Sequence, residues 1–169
     1  MVMSMSSVGK LRLQNREKKM MRYYDDMGKG KGNCTMGIGH LVHKNPCTTE
    51  ELAREVSEDD LMRGFDLDLR AAENSVNRNI KVLLTQEQFD GLVSYTYNRG
   101  PSGAMAVYHL VNAGDLPGAA SEMRKRITVK LKRNGKMVTE AAGGLVARRA
   151  EESAPFMNAA KPQEASVTK

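Results

Sequence analysis

Tryptophan is absent from this chain, and aromatic residues make up only 5% of it. So few ring faces argue against a surface that binds nucleic acid by stacking bases. The basic cluster Arg124, Lys125, Arg126, Lys130, Lys132 and Arg133 has no interleaved aromatics, so it reads as a polyanion-facing or merely solvated face. No apolar run approaches the roughly 18 residues of a membrane-spanning helix, and none is expected. The opening MVMSMSSVGK lacks the apolar core of a secretory signal, so none is expected there either. The only cysteines are Cys34 and Cys47, and together with His40 and His43 they match no standard zinc spacing. No metal and no cofactor is therefore expected. Internal repeats are missing, as is any linker long enough to separate a pair of domains.

What is present is an ordinary balance: 169 residues, 40% hydrophobic and 27% charged, enough for one domain with a real core. The net charge of +6 suits a polyanionic neighbour, or simply keeps the chain soluble. The densest chemistry lies in Glu17 to His40, EKKMMRYYDDMGKGKGNCTMGIGH. An acid, Glu17, ends a helix-compatible run from Lys10 to Tyr24, and Asp25 and Asp26 follow where that pattern breaks. Gly28, Gly30 and Gly32 then suit a tight hairpin, and residues 26 to 42 read as a small hairpin or sheet. A carboxyl on a helix and another on a hairpin are the parts that acid/base cleavage of a glycosidic bond needs.

Capping signals punctuate the rest of the chain. Thr48-x-x-Glu51, Ser57-x-x-Asp60 and Thr85-x-x-Gln88 each open a helix. Leu61, Phe65, Leu69, Ala72 and Val76 recur at helical spacing, one buried stripe, while Arg63, Asp66, Asp68 and Arg70 read as a solvated face. A short helix is expected over Gly103 to Val111, then one capped by Asp115 and running to about Arg126. Ile127 to Thr139 alternates as a hairpin around Asn134-Gly135. Residues 1 to about 9 read as flexible, His43 as simply exposed, and 157–169 as a disordered tail.

The central stretch resembles the phage-type lysozymes, the muramidases of glycoside hydrolase family 24. That family carries Glu, eight residues, Asp, five residues, Thr, then Gly-x-Gly-His. Here eight residues separate Glu17 from Asp26, Tyr24 stands two before the aspartate, and Thr35 leads into Gly37-Ile38-Gly39-His40. Between Asp26 and Thr35, however, eight residues intervene instead of five, which reads as a longer hairpin tip. Phe89-Asp90-Gly91-Leu92-Val93-Ser94, Tyr97-Asn98, Asn112-Ala113-Gly114-Asp115 and Gly144-Leu145-Val146-Ala147-Arg148-Arg149 resemble later family motifs, so the likeness covers most of residues 11 to 156.

The resemblance implies a mainly helical α+β fold, lysozyme-like, as a single domain over 1–156. A small N-terminal lobe with a β-hairpin would be joined by a long helix to a larger helical lobe. It implies hydrolysis of the β-1,4 bond between N-acetylmuramic acid and N-acetylglucosamine in peptidoglycan, with inversion and with the carboxyls roughly 6.5–9.5 Å apart. Glu17 would be the general acid, and Asp26 an ionised partner orienting a water that Thr35 holds. Asp25 is the competing assignment. Leu41, Tyr97 and Asn98 are the substrate-binding candidates, with Tyr97 as a packed core residue the alternative. His40 would support the turn, and Arg149 would stand near Glu17. Cys34 and Cys47 are a candidate disulfide in an oxidising compartment. A monomeric endolysin would rest in a host cytoplasm and reach the periplasm and wall with a holin's help. An inactive wall-binding module and a lytic transglycosylase are the alternatives.

Overall fold

The computed structural model describes residues 2–133 and 136–157. Two compact units divide the chain: Ser7–Ala71, and Met1–Ser6 together with Ala72–Lys169. The elements run in the order α1 (Ser7–Arg16), β1 (Met20–Asp25), β2 (Cys34–Gly37), β3 (His40–His43), α2 (Thr49–Leu52), α3 (Glu58–Asn79), α4 (Gln86–Asn112), α5 (Leu116–Lys125), β4 (Thr128–Arg133), β5 (Lys136–Ala141) and α6 (Gly143–Met157). This is an α+β fold, mostly helical, with the division between units falling inside α3.

In the first unit β1, β2 and β3 form a three-stranded antiparallel sheet in that order, where the sequence suggested a small hairpin or sheet. The helix expected over Lys10 to Tyr24 stops at Arg16, and Glu17 lies just past its end. Lys, Glu and Met favour helix, but Tyr23 and Tyr24 pair instead with Met36 and Thr35, and the ladder prevails over local propensity. Leu13, Ile38, Val56, Leu61, Phe65 and Leu69 supply buried apolar side chains. Ser57 caps α3 through the Asp60 N–H at 3.1 Å, and Glu58, Asp59 and Asp60 complement its positive end. The face read as solvated is only partly so. Asp66 accepts from Lys10 Nζ at 2.7 Å, and Asp68 meets His40 Nδ1 at 3.0 Å.

The second unit is built on α4, α5 and α6 around Phe89, Leu92, Val93, Val107, Leu116 and Phe156. Thr85 and Gln88 form a reciprocal capping box, and Asp115 caps α5 through the Gly118 N–H at 2.9 Å. The two helices expected around Gly100 are one element with a kink. Gly100 takes φ 72° and ψ 161°, open to glycine, and Pro101 after it has no N–H to lose. Residues 2–6, read as flexible, are tied down. The N–H groups of Met3, Met5 and Ser6 donate to Asn77, Glu73 and Asp90 at 2.9, 2.7 and 3.0 Å. Their partners lie more than 60 positions away, which local pattern cannot reveal. β4 and β5 pair as the expected hairpin, but its turn, Asn134-Gly135, lies outside the described residues. So do the side chains of Lys130, Lys132 and Arg133 and the expected tail beyond Met157.

Candidate active site

The sheet sets out the site residues in a row. Thr35 on β2 pairs with Tyr24 on one side and Leu41 on the other. Cross-strand partners project on the same face, so these three side chains line one surface. Thr35 is nearly buried at 5% exposure, while Leu41 is half exposed. Asp26, two residues beyond Tyr24, stands just past the end of β1 and is exposed. Burial raises the pKa of the Tyr24 phenol, and the negative charges of Asp26 and then Glu17 raise it further. Both acids therefore act on one phenol. Tyr24 is a site residue that the sequence marked only as the companion of Asp26.

The adjacent acids differ in what they do. The two oxygens of Asp25 accept from the backbone N–H groups of Gly30 at 2.5 Å and Cys47 at 2.8 Å, so this carboxylate holds the loop. Asp26 accepts from Asn33, by its N–H at 2.8 Å and its side-chain amide at 3.1 Å, and faces solvent. The Asp26 N–H in turn donates to the Asn33 carbonyl at 3.1 Å, closing the eight-residue loop between β1 and β2. The longer spacing is taken up in that tip, and Thr35 keeps its place beside Tyr24. Gly32 belongs to the same loop at φ +80°, and a Cβ there would run into Asp26 Oδ1. The Thr35 hydroxyl donates to the Asn33 carbonyl at 3.4 Å, a long bond that a water could replace.

His40, expected to support the turn, faces Asp68 on α3. His43 is not simply exposed. Its Nε2 lies 3.0 Å from Glu51 Oε1 and its Nδ1 2.9 Å from the Lys44 carbonyl, and these acceptors raise its pKa. A disulfide joins Cys34 to Cys47, with Cα atoms 4.5 Å apart. Cys34 Sγ, His43 and Glu51 bring ligand-type atoms within 4.8 Å of one another, a grouping that linear spacing concealed. With Cys34 oxidised, its sulfur is not a thiolate.

The remaining candidates belong to the helical unit. Tyr97 is half-buried and Asn98 exposed. Arg149, expected near Glu17, has several partners within this unit. It donates to Glu152 at 2.5 Å, to the Asn98 side-chain oxygen and to the Arg126 carbonyl at 3.1 Å, and lies 4.7 Å over the Tyr95 ring. Arg148 donates to Glu152 at 2.8 Å and to the Ser94 carbonyl at 2.9 Å. Glu152, 4% exposed, accepts from both arginines.

A mainly helical α+β chain with its acids around a three-stranded sheet has the architecture of a lysozyme. The phage lysozyme family model matches residues 15–152, and the chain belongs to that family. It is 34% identical over 129 residues to an endolysin of Bacillus phage B103, covering 73% of this chain but 43% of that protein. The chain thus spans less than half the length of that relative. Among solved structures, the endolysin from Escherichia coli O157:H7 phage FAHEc1 matches with a TM-score of 0.70 at 27% identity, over 95% of this chain and 98% of that one. The muramidase domain of SpmX from Asticaccaulis excentricus matches with a TM-score of 0.69 at 26% identity, over 92% and 99%. Among the described residues, no helix is long and apolar enough to cross a membrane.

Proposed function

We propose that this protein is a peptidoglycan hydrolase that cleaves the β-1,4 bond from N-acetylmuramic acid to N-acetylglucosamine with inversion. Glu17, as general acid, protonates the leaving oxygen. Asp26 stays ionised and orients the attacking water, and the Thr35 hydroxyl holds that water in line. The observation that carries this reading is the division of labour between neighbours. Asp25 spends its oxygens on backbone N–H groups, whereas Asp26 is solvent-facing and shares the field at Tyr24 with Glu17. Leu41 offers an exposed apolar surface in the same row for the face of a sugar ring. Tyr97 and Asn98 take further sugar contacts, and Arg149 orients the Asn98 side chain. The relatives named as endolysins and as a muramidase domain support the same substrate class. Release from a host cytoplasm with a holin's help, action in the periplasm and wall, and a monomeric state complete the proposal.

The test is digestion of purified peptidoglycan, with mass spectrometry of the new ends. Reducing muramic acid ends are expected, and 1,6-anhydro ends would mean a transglycosylase instead. No digestion by the wild type would leave a wall-binding module. Glu17→Gln should remove hydrolysis by at least about 10²–10⁴-fold, the usual contribution of a positioned acid, with the fold intact. Asp26→Asn should cost far more activity than Asp25→Asn. A more damaging Asp25→Asn, with both variants folded, would reverse the assignment.

A further inference from the structure

We propose that the reduced protein carries a tetrahedral Zn²⁺ site made by Cys34, Cys47, His43 and Glu51, none of them a residue assigned to hydrolysis. The disulfide and the metal would be alternative staples for the same three segments. Cys34 opens β2, and His43, at the end of β3, is its cross-strand partner, so the two side chains share a face. Glu51 arrives from α2 and Cys47 from the loop between them.

The distances already approach those of a coordination shell. Cys34 Sγ lies 3.7 Å from Glu51 Oε2, and His43 Nε2 lies 3.0 and 3.1 Å from the two Glu51 oxygens. A zinc ion with bonds of about 2.3 Å to sulfur and about 2.0–2.1 Å to nitrogen and oxygen needs ligand separations of roughly 3.3–3.8 Å. The sulfurs must separate to roughly 3.8 Å, which reduction of their bond permits, and the His43–Glu51 contact must open by a few tenths of an ångström. Rotation of the half-exposed Cys47 side chain allows this, while Cys34 stays buried in the sheet.

The ligands are also supported from behind, as metal ligands ordinarily are. His43 Nδ1 donates to the Lys44 carbonyl at 2.9 Å, which aims Nε2 at Glu51. The Thr48 N–H donates to Glu51 Oε2 at 2.7 Å and fixes the carboxylate. Two thiolates, an imidazole and a carboxylate form a borderline-soft set that favours Zn²⁺ over Mg²⁺ or Ca²⁺. Linear spacing hid this set, because a strand pairing and a capping box bring it together.

The chemistry balances with a dithiol as reductant. The dithiol gives two electrons and two protons to the Cys34–Cys47 bond and leaves as its cyclic disulfide. Zn²⁺ then displaces the two thiol protons and, when the imidazole is protonated, the Nε2 proton as well. The reverse step uses a disulfide oxidant, which takes the two electrons and, with two protons from solvent, leaves as the dithiol while the Cys34–Cys47 bond re-forms and the ion is released.

The experiment uses the full chain, reduced with a phosphine that has no thiolate to compete for metal. Co²⁺ is added as a spectroscopic stand-in for Zn²⁺. One Co²⁺ per chain is expected, with intense tetrahedral bands and thiolate-to-cobalt charge transfer, seen only after reduction and erased by Zn²⁺. Zn²⁺ should also raise the thermal midpoint of the reduced protein and leave that of the oxidised protein unmoved. Cys47→Ser and His43→Ala should each weaken Co²⁺ binding on the order of a hundredfold or more. Neither residue lies in the buried core, which guards against loss of the fold. Equal spectra from oxidised and reduced protein, no tetrahedral bands after reduction, or wild-type affinity in folded His43→Ala would each overturn the site.

Discussion

Asp26 and Glu152 are both carboxylates held by hydrogen bonds, one in each unit of the molecule, and their surroundings differ. Asp26 is exposed and takes its described bonds from one residue, Asn33. Glu152 is 4% exposed, and its oxygens accept from Arg148, Arg149 and the Ser94 hydroxyl. Burying a carboxylate commits it, because the desolvation cost is offset only when donors surround it. A group so occupied has nothing left for a substrate. The exposed acid adds little to stability, yet its free lone pairs remain open to water and sugar.

That contrast can be broken first by exchanging the two acids' fates. Glu152→Ala removes the buried carboxylate that Arg148 and Arg149 share, and the expected cost is about 3–5 kcal/mol. At roughly 2–4 °C per kcal/mol for a chain of this size, the thermal midpoint should fall by about 6–20 °C. Asp26→Asn should move the midpoint by at most a degree or two while removing most of the activity. If both variants lose stability equally, the division between structural and available carboxylates fails.

Reduction of the disulfide comes next. Cys34 and Cys47 are 13 positions apart, and a loop of that length contributes about 3 kcal/mol in the chain-entropy model. A phosphine with a chelator present should lower the thermal midpoint accordingly. Protein unfolded without reductant should resist alkylation, and complete labelling of both cysteines would contradict the bond.

Gly32→Ala has a smaller effect on stability but tests the site more closely. A side chain at φ +80° costs on the order of 1–3 kcal/mol, and the new Cβ would displace Asp26 Oδ1. Activity should fall while every acid remains in place. An unchanged rate would mean that the position of Asp26 in this loop does not matter.

The helices were legible because their signals are local. Thr48, Ser57, Thr85 and Asp115 all receive the N–H groups that their spacing promised, and the stripe from Leu61 to Val76 is buried. The acids at Glu17 and Asp26 were legible as types, though not their settings. Helix-forming residues conceal β1, whose pairing partners lie 11 or more positions away for Tyr24 and 13 for Tyr23. Arg148 and Arg149 were visible in their motif, but the burial of Glu152 and its bonds to both of them were not. The pairing of His43 with Glu51 was hidden in the same way, since it depends on where β3 ends relative to α2.

That last pair sets the smallest and most pH-specific expectation. The Lys44 carbonyl and Glu51 raise the folded pKa of His43 above its ordinary 6.5. Its contribution is therefore complete below that value and is lost as pH rises through the folded pKa. The pKa of Glu51 is lowered from 4.5, first by the Thr48 N–H and then by His43, so its contribution is complete above 4.5 and is lost as pH falls through the lower folded value. The two windows overlap between about pH 4.5 and 6.5, where both groups are charged and paired. The groups face solvent, so the effect is modest and should shrink as salt screens it. The measurement is the difference in thermal midpoint between oxidised, metal-free wild type and His43→Gln across pH 3–9. A maximum inside the overlap, declining on both sides, is expected. A difference that keeps growing above pH 8 would show that His43 stabilises the neutral ring by packing, and not the ion pair.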